Sequence, residues 1–248
     1  MPKRLPIVLL LLAAMNFCCH HSYQAQSLQY KNYRITDSVK ADPVLAALIQ
    51  PYGDSVNKSM NDVVGIAEKS LDKKPLECEL GNFMADALLV MAREKFNTTV
   101  DAALVNYGGI RLTQLPAGNV TRGKIFELMP FDNLLILQKM KGTVLQQLLD
   151  LAASKGGWPV AGIVMQIKAG KAVNVKVGGK ALDPAAEYIV ANSDFVANGG
   201  DNADMLRPIP QITNGYLMRD AFFDYIKKLR AAGSGITANI ENRVTNAE

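Results

Sequence analysis

The stretch VMQIKAGKAVNVKVGGKALDPAAEYIVANSDFVANGGD, residues 164–201, decides the fold class of this chain. It holds three apolar runs with the length and composition of β-strands, at Val164–Ile167, Val173–Val177 and Tyr188–Ala191. The pair Gly178-Gly179 lies between two apolar runs, which is typical of a β-hairpin turn. Hairpins join antiparallel strands, so the stretch predicts a sheet that is not purely parallel.

Helices and strands alternate on both sides of this stretch. Six apolar residues recur at helical spacing and predict an amphipathic helix over 79–95: Leu80, Phe83, Met84, Ala87, Leu88 and Met91. Other helices are predicted at 43–50 after Asp42, at 122–128, at 142–153 and at about 215–229. Other strands are predicted at 28–38, 63–67, 102–105, 134–140 and near Ile240. No repeat or linker interrupts this order, which predicts one domain over residues 26–248 of the α+β (mixed α/β) class.

The composition is that of a globular protein, with 49% hydrophobic, 20% charged and 7% aromatic residues in 248. Beyond the first two dozen residues no apolar window reaches the roughly 18 residues of a membrane span, which excludes a polytopic membrane protein. Without Lys3 and Arg4, the chain has 25 basic residues against 23 acidic ones. Such a balance, evenly interspersed, excludes the clustered basic face that a nucleic acid polymer needs.

The first 25 residues have the form of a secretory signal peptide. Lys3-Arg4 make a positive start, and Leu5–Ala14 make an apolar run that is too short to span a membrane. Two alternatives remain for its processing: a lipoprotein signal with the lipid at Cys18 or Cys19, or cleavage near Ala25. Either alternative predicts an exported protein, located in the periplasm or at the cell surface.

Histidine is missing from the predicted mature chain, because His20 and His21 fall at the edge of the signal. This absence excludes Ser-His-Asp and Cys-His catalysis and histidine-containing metal centres. No acidic cluster has ligand-like spacing, so no metal or cofactor is predicted in this chain. Cys78 is the one cysteine outside the signal, which excludes an intramolecular disulfide. We favour a buried apolar role for Cys78 over a catalytic thiol.

Three loops carry the polar chemistry. The first, Asn106-Tyr107-Gly108-Gly109-Ile110-Arg111, follows a predicted strand, and its glycines let the backbone approach a ligand. Arg111 offers a planar fork for phosphate or carboxylate, the alternative being a tight turn with a solvated arginine. The second, Met129-Pro130-Phe131-Asp132-Asn133, presents Phe131 as a stacking platform or a core side chain. The third, residues 193–201, combines Phe195, a Gly pair and Asp201, a pattern that a plain turn does not require.

Together the loops resemble the carboxy-terminal, substrate-specificity domain of secreted 5′-nucleotidases. The resemblance covers roughly residues 40–245 and extends to the segment Glu77–Asn82 and the turn Leu182-Asp183-Pro184. It implies the four-layer α/β/β/α fold of that domain. The sequence departs from the family pattern where Lys73 and Lys74 replace an arginine, at Tyr107, and at Asn202-Ala203-Asp204.

The resemblance also implies a nucleotide site. In that family two phenylalanines sandwich the base, an aspartate takes the ribose hydroxyls, and Asn and Arg side chains bind ribose and phosphate. The matching residues are Phe131 and Phe195 for the base, Asp201 for the ribose, and Asn106 with Arg111 for sugar and phosphate. Asn198 and Gly200, from the same motif as Asp201, complete the predicted substrate-binding set.

The family's dimetal catalytic centre belongs to a separate amino-terminal domain, and nothing in this sequence resembles it. The resulting hypothesis is a nucleotide-binding half of a split 5′-nucleotidase, inactive alone, whose divalent metals lie in a separate metallophosphoesterase chain. One alternative is a stand-alone exported protein that binds nucleosides or nucleotides without catalysis. Another is a structural surface protein with a vestigial pocket.

Overall fold

The computed structural model describes residues 27, 29–34, 36 and 39–247, so the predicted signal over 1–25 lies outside the described residues. The chain divides into two units, Met1–Leu48 and Ile49–Glu248. In the first unit, residues 29–34 are exposed and have no regular secondary structure. The strand predicted over 28–38 is therefore wrong for these positions, because an alternating pattern forms a strand only where a neighbouring strand pairs with it. Leu28 and Ile35 lie outside the described residues.

Six α-helices lie in the described part of the chain: α1 Pro43–Met60, α2 Glu79–Phe96, α3 Arg122–Leu128, α4 Gly142–Ser154, α5 Asp194–Ala197 and α6 Met218–Ala231. Asp42 begins α1, since its carboxylate accepts from the backbone N–H groups of Val44 and Leu45. The helix continues ten residues past its predicted end at Gln50. No described helix is long and apolar enough to span a membrane.

Helix α2 begins and ends with specific caps. The Cys78 Sγ accepts from the Gly81 N–H, and the helix ends at Asn97, whose φ of 47° lies in the left-handed region. Cys78 is buried, which confirms its predicted environment.

The described strands are β1 Val63–Ala67, β2 Leu71–Asp72, β3 Ala102–Leu104, β4 Gln114–Leu115, β5 Gly118–Thr121, β6 Leu135–Lys141, β7 Val160–Ala161, β8 Ile163–Lys168, β9 Lys171–Val177, β10 Lys180–Ala181, β11 Glu187–Ser193, β12 Gln211–Ile212 and β13 Val244–Asn246. A five-stranded sheet has the order β12-β6-β11-β3-β7, and a four-stranded sheet has the order β10-β9-β8-β13. Two-stranded sheets pair β1 with β5 and β2 with β4.

Two apolar cores lie on opposite faces of the five-stranded sheet. On one face, alternate sheet residues such as Ala191 and Leu137 pack with α2 and α6 through Phe83 and Phe222. On the other face, residues such as Val190 pack with α4 and the four-stranded sheet. The predicted α+β (mixed α/β) class is confirmed, with helices and two mixed sheets.

Two details of the sheets differ from the sequence prediction. Gly178 and Gly179 turn with φ of 56° and 81°, as a hairpin turn requires, but the strand that pairs with β9 across this turn is the short β10 and not the apolar run at 188–191. The closing strand lies at Val244–Asn246 instead of near Ile240, and it pairs in parallel with β8. The position of the closing strand is set by a pairing partner far away in the chain, which local periodicity does not report.

Candidate functional site

The three loops meet at one edge of the five-stranded sheet. Strands β3 and β11 are parallel neighbours, so the loops that follow them leave the sheet at the same edge. Strand β6 is antiparallel to β11, so it begins where β11 ends. The loop before β6 therefore lies beside the loops after β3 and β11. Between them is a pocket of about 300 Å³, at the lower end of the usual range for small-molecule sites.

Eight residues line this pocket in the described part of the chain: Asn106, Gly108, Gly109, Arg111, Phe131, Asn133, Phe195 and Asp201. Five of the seven residues predicted to bind substrate are among them. Asn198 and Gly200 are not, because the Asn198 Oδ1 accepts from the Gln211 Nε2 at 2.9 Å and Gly200 packs under the Phe195 ring. Asn133 lines the pocket but was not predicted to bind.

The first loop joins the third through a direct hydrogen bond. Asn106 is buried, and its Nδ2 donates to the Asp201 Oδ2 at 2.7 Å. A bond to a charged acceptor is short and strong, so it fixes the direction of the Asp201 carboxylate. The remaining lone pairs of that carboxylate can accept from a vicinal diol.

Lys73 contacts the first loop at two points. Its Nζ donates to the Ile110 carbonyl at 2.8 Å and lies 4.0 Å from the centre of the Tyr107 ring. Burial and the nearby positive charge of Arg111 lower the pKa of Lys73. A single ammonium group thus fixes two points of the loop that carries Asn106 and Arg111.

The second loop is held in place by a side chain of helix α6. Arg219 is buried, and its guanidinium donates to the Phe131 carbonyl at 3.2 Å and to the Asp132 carboxylate at 2.6 Å. The same group lies 4.2 Å from the centre of the Phe126 ring. Its planar fork suits this double role. Sequence reasoning missed Arg219, because it lies 87 residues after Asp132 with no local motif around it.

The third loop begins as a capped turn. Asp194 accepts from the backbone N–H groups of Leu134, at 3.0 Å, and Phe195, at 2.8 Å, which ties this loop to the one before β6. Gly200 must be glycine, because a Cβ there would lie 2.5 Å from both the ring and the carbonyl oxygen of Phe195. Asp201 then adopts a φ of 55°, in the left-handed region.

The two phenylalanines of the pocket are surface groups. Phe131 is 40% exposed and Phe195 is 45% exposed, so neither is a core side chain. Arg111 lies with its guanidinium 5.8 Å from the centre of the Phe131 ring. The pocket therefore presents aromatic faces, a hydrogen-bonded carboxylate and a cation, which suit a ligand with a flat ring, hydroxyls and a negative group.

The described residues hold no group of three or more His, Cys, Asp or Glu arranged to hold a metal ion. Among the described residues that line the pocket, none forms a nucleophile and base pair. A second cavity, of about 510 Å³, lies where β1 meets α6 and is lined mainly by charged side chains. Its aromatic lining residues are Tyr216 and Phe223.

Comparisons with known proteins point to the same domain as the motifs. Residues 58–208 match the family model described as 5′-nucleotidase, C-terminal domain. Protein UshA of Yersinia enterocolitica is 29% identical over 201 residues, which are 78% of this chain and 36% of that protein. Cell wall protein Lmo0130 of Listeria monocytogenes is 29% identical over 234 residues, covering 84% of this chain and 30% of that protein.

A solved structure agrees in fold. The 5′-nucleotidase precursor from Thermus thermophilus superposes with a TM-score of 0.71 at 28% identity, over 83% of this chain and 43% of that one. The chain thus spans about a third of the length of the curated relatives it matches.

Proposed function

We propose, because this chain belongs to the 5′-nucleotidase C-terminal domain family, that it is the nucleotide-binding half of an exported, split 5′-nucleotidase. The observation that carries the proposal is the convergence of Phe131, Phe195 and Asp201, which lie on two separate loops, around one pocket. In this proposal the base stacks on the phenylalanine rings. Stacking contributes about 1–3 kcal/mol per base and tolerates different bases.

The polar side chains orient the rest of the nucleotide. Asp201, held by Asn106, accepts from the ribose hydroxyls, and Arg111 pairs with the phosphate. Arg111 is exposed and lines the pocket, so its guanidinium is accessible to a phosphate. Asn198 and Gly200 support the proposed site indirectly, through Gln211 and Phe195.

Catalysis is assigned to a separate metallophosphoesterase chain that holds the divalent metals. Hydrolysis of a phosphate ester of this type requires a nucleophile, which bound metal ions generate from water. This chain would supply orientation by holding base and ribose so that the ester reaches the metals of the partner.

Export is part of the proposal. The basic start and apolar run of the first 25 residues support it, with Cys18 or Cys19 as the lipid attachment point if the signal is of the lipoprotein type. The name of the Listeria relative, a cell wall protein, agrees with an extracytoplasmic location.

Isothermal titration of residues 26–248 with adenosine and AMP tests the binding site. We expect saturable binding that disappears in Phe131→Ala/Phe195→Ala, because both stacking faces are lost. The matched control is Tyr30→Ala/Tyr33→Ala, which removes two exposed aromatic rings that do not line the pocket. Equal affinity of the phenylalanine double variant and the wild type would refute the base-stacking site.

Hydrolysis of AMP tests the split enzyme. The chain alone should show no enzyme-like rate under strict metal and contaminant controls. Addition of the metallophosphoesterase chain should produce turnover that falls in the phenylalanine double variant. An enzyme-like rate from this chain alone contradicts the division into two chains.

A second candidate function is a stand-alone nucleoside or nucleotide binding protein. It is favoured by the stacking faces of Phe131 and Phe195 and the carboxylate of Asp201, which suit a nucleoside without any phosphate chemistry. Tight binding of adenosine with no hydrolysis in the presence of any exported metallophosphoesterase from the same cell would select it.

A further inference from the structure

A buried glutamine lies under the third loop. Gln138, in the middle of β6, is fully buried, and its Nε2 donates to two carbonyls, Leu206 at 3.1 Å and Ile209 at 3.0 Å. Its Oε1 accepts from the Asn192 Nδ2 at 3.2 Å. Both ends of the amide are thus bonded, and the group has one fixed orientation.

The two carbonyls belong to the segment that follows Asp201. Backbone hydrogen bonds connect this segment in steps: Ala203 N–H to the Gly200 carbonyl, Leu206 N–H to the Ala203 carbonyl, and Ile209 N–H to the Leu206 carbonyl. Gln138 therefore fixes one end of a short chain of turns whose other end carries Asp201. The Leu206 carbonyl is connected to the Asp201 backbone through these few hydrogen-bonded turns.

The backbone at Asp201 needs such support. Gly199, Asp201 and Asn202 have φ of 88°, 55° and 71°, all in the left-handed region. This region is unfavourable for a residue with a side chain, so neighbouring contacts must hold it there. Asn106 donates a hydrogen bond to the Asp201 carboxylate, and Gln138 donates to a carbonyl of the turns that follow it.

Asn192 restrains the Gln138 amide from its acceptor end. Asn192 is buried, and its Oδ1 has no hydrogen-bond partner among the described residues. Burying an unpaired amide oxygen is unfavourable, and an apolar residue would avoid it. Asn192 nevertheless directs its Nδ2 to Gln138, which keeps the Gln138 donors aimed at the loop.

We propose that Gln138 is a positioning residue that sets Asp201 for the vicinal diol of a ribose, and so gives the pocket its preference for ribonucleosides over their deoxy analogues. This inference rests on the proposed function. Gln138 acts through the turn that carries Asp201 and does not line the pocket. Its loss should therefore change recognition of the sugar and leave recognition of the base unchanged.

The test compares adenosine with 2′,3′-dideoxyadenosine by isothermal titration of the purified protein. The variant is Gln138→Met, which keeps the unbranched shape and removes the amide. The matched control is Gln146→Met, which removes an amide that donates from α4 to the Ala172 carbonyl at 2.8 Å, away from the pocket. The unfolding temperature of each protein is measured alongside.

Wild type should bind adenosine about tenfold more tightly than the dideoxy compound, as expected for hydrogen bonds to a carboxylate. In Gln138→Met this ratio should fall toward one, with the dideoxy affinity unchanged. Gln146→Met should keep the wild-type ratio. An unchanged ratio in folded Gln138→Met, or an equal loss for both ligands, overturns the inference.

A second variant covers the case in which Gln138→Met does not fold. Asn192→Ala removes one restraint on the Gln138 amide and keeps its two donors, so the ratio should fall partway. An unchanged ratio in Asn192→Ala then overturns the inference. Wild type that binds adenosine without discrimination also overturns it, and leaves base binding intact. Wild type that does not bind adenosine refutes the proposed binding function and this inference together.

Discussion

The first and third loops form two walls of the pocket, and side chains of different chemistry hold them in place. The loop over 106–111 is held by Lys73, a partly exposed cation that contacts a carbonyl and an aromatic ring. The third loop, residues 193–201, is held through the turns that follow it, because their Leu206 and Ile209 carbonyls accept from Gln138, a neutral amide that is fully buried. A cation near solvent is screened and contributes little, whereas a buried amide leaves unpaired carbonyls when it is removed. The second wall should therefore be the more sensitive to mutation.

Gly108 of the first wall and Gly200 of the second show the same difference. A Cβ at Gly108 would meet only the Asn106 Nδ2, at 3.9 Å. A Cβ at Gly200 would overlap Phe195, whose ring and carbonyl oxygen both lie 2.5 Å from its ideal position. The first wall thus has space at Gly108, although a Cβ at Gly109 would lie 2.8 Å from the Asn106 Oδ1, and the second wall has no space at Gly200.

The largest expected effect is that of Gly200→Ala against Gly108→Ala. Gly200→Ala should displace Phe195, lower the free energy of unfolding by about 1–3 kcal/mol as overpacking does, and weaken adenosine binding at least about tenfold. Gly108→Ala should stay within about 0.5 kcal/mol of wild type. Denaturant unfolding and titration measure both. Similar losses in the two variants would show that the walls are equally packed.

An intermediate effect is expected for Asn106→Ala, which breaks the hydrogen bond between the two walls. Asp201 loses a donor at 2.7 Å, and a bond to a charged group contributes about 1.5–3 kcal/mol. Adenosine should bind roughly tenfold more weakly, with a smaller change for the dideoxy compound. A uniform loss for both ligands would mean that Asn106 supports the whole pocket and not Asp201 in particular.

The smallest effect is expected for Lys73→Met. Losing a cation and ring contact near solvent costs about 0.5–1 kcal/mol, so adenosine affinity should fall roughly two- to fivefold. A tenfold or larger loss would make Lys73 an anchor as important as Gln138.

Lys73 also predicts a pH dependence of stability. Burial and the positive charge of Arg111 lower the pKa of Lys73 in the folded chain below its ordinary value of 10.5. At pH values between the folded-chain pKa and 10.5, the folded chain therefore binds fewer protons than the unfolded chain. The Lys73 contribution to the free energy of unfolding therefore rises with pH across that window. Urea unfolding of wild type and Lys73→Met from about pH 8 to 10 measures it as a difference. A difference that falls with rising pH contradicts the lowered pKa.

Much of the fold could be predicted from the sequence, because local patterns of apolar residues indicate its helices and strands. The helix over 79–95, the strand over 63–67 and the helix over 122–128 appear with those bounds or within one residue of them. The strand over 28–38 and the one near Ile240 could not, since a strand requires a partner that the local pattern does not name.

The residues of the candidate site also fall into two groups, those that the sequence predicted and those that only the structure reveals. Asn106, Arg111, Phe131, Phe195 and Asp201 lie in short motifs, and the structure brings them around one pocket, where their roles in binding stay predictions. The residues that hold the loops lie in no motif. Arg219 is 88 residues from the Phe131 carbonyl that it binds, Gln138 is 68 residues from Leu206, and Lys73 is 37 residues from Ile110.

The sequence by itself determined the family, the α+β class, and which side chains carry aromatic, acidic and basic chemistry, because these follow from residue types at short spacing. The tertiary structure alone decided that three loops share one sheet edge, that Gly200 has no room for a side chain, and that a residue distant in the chain holds each of the three loops. Strand order and long-range packing arise from burying two apolar cores at once, and that requirement acts on the whole chain.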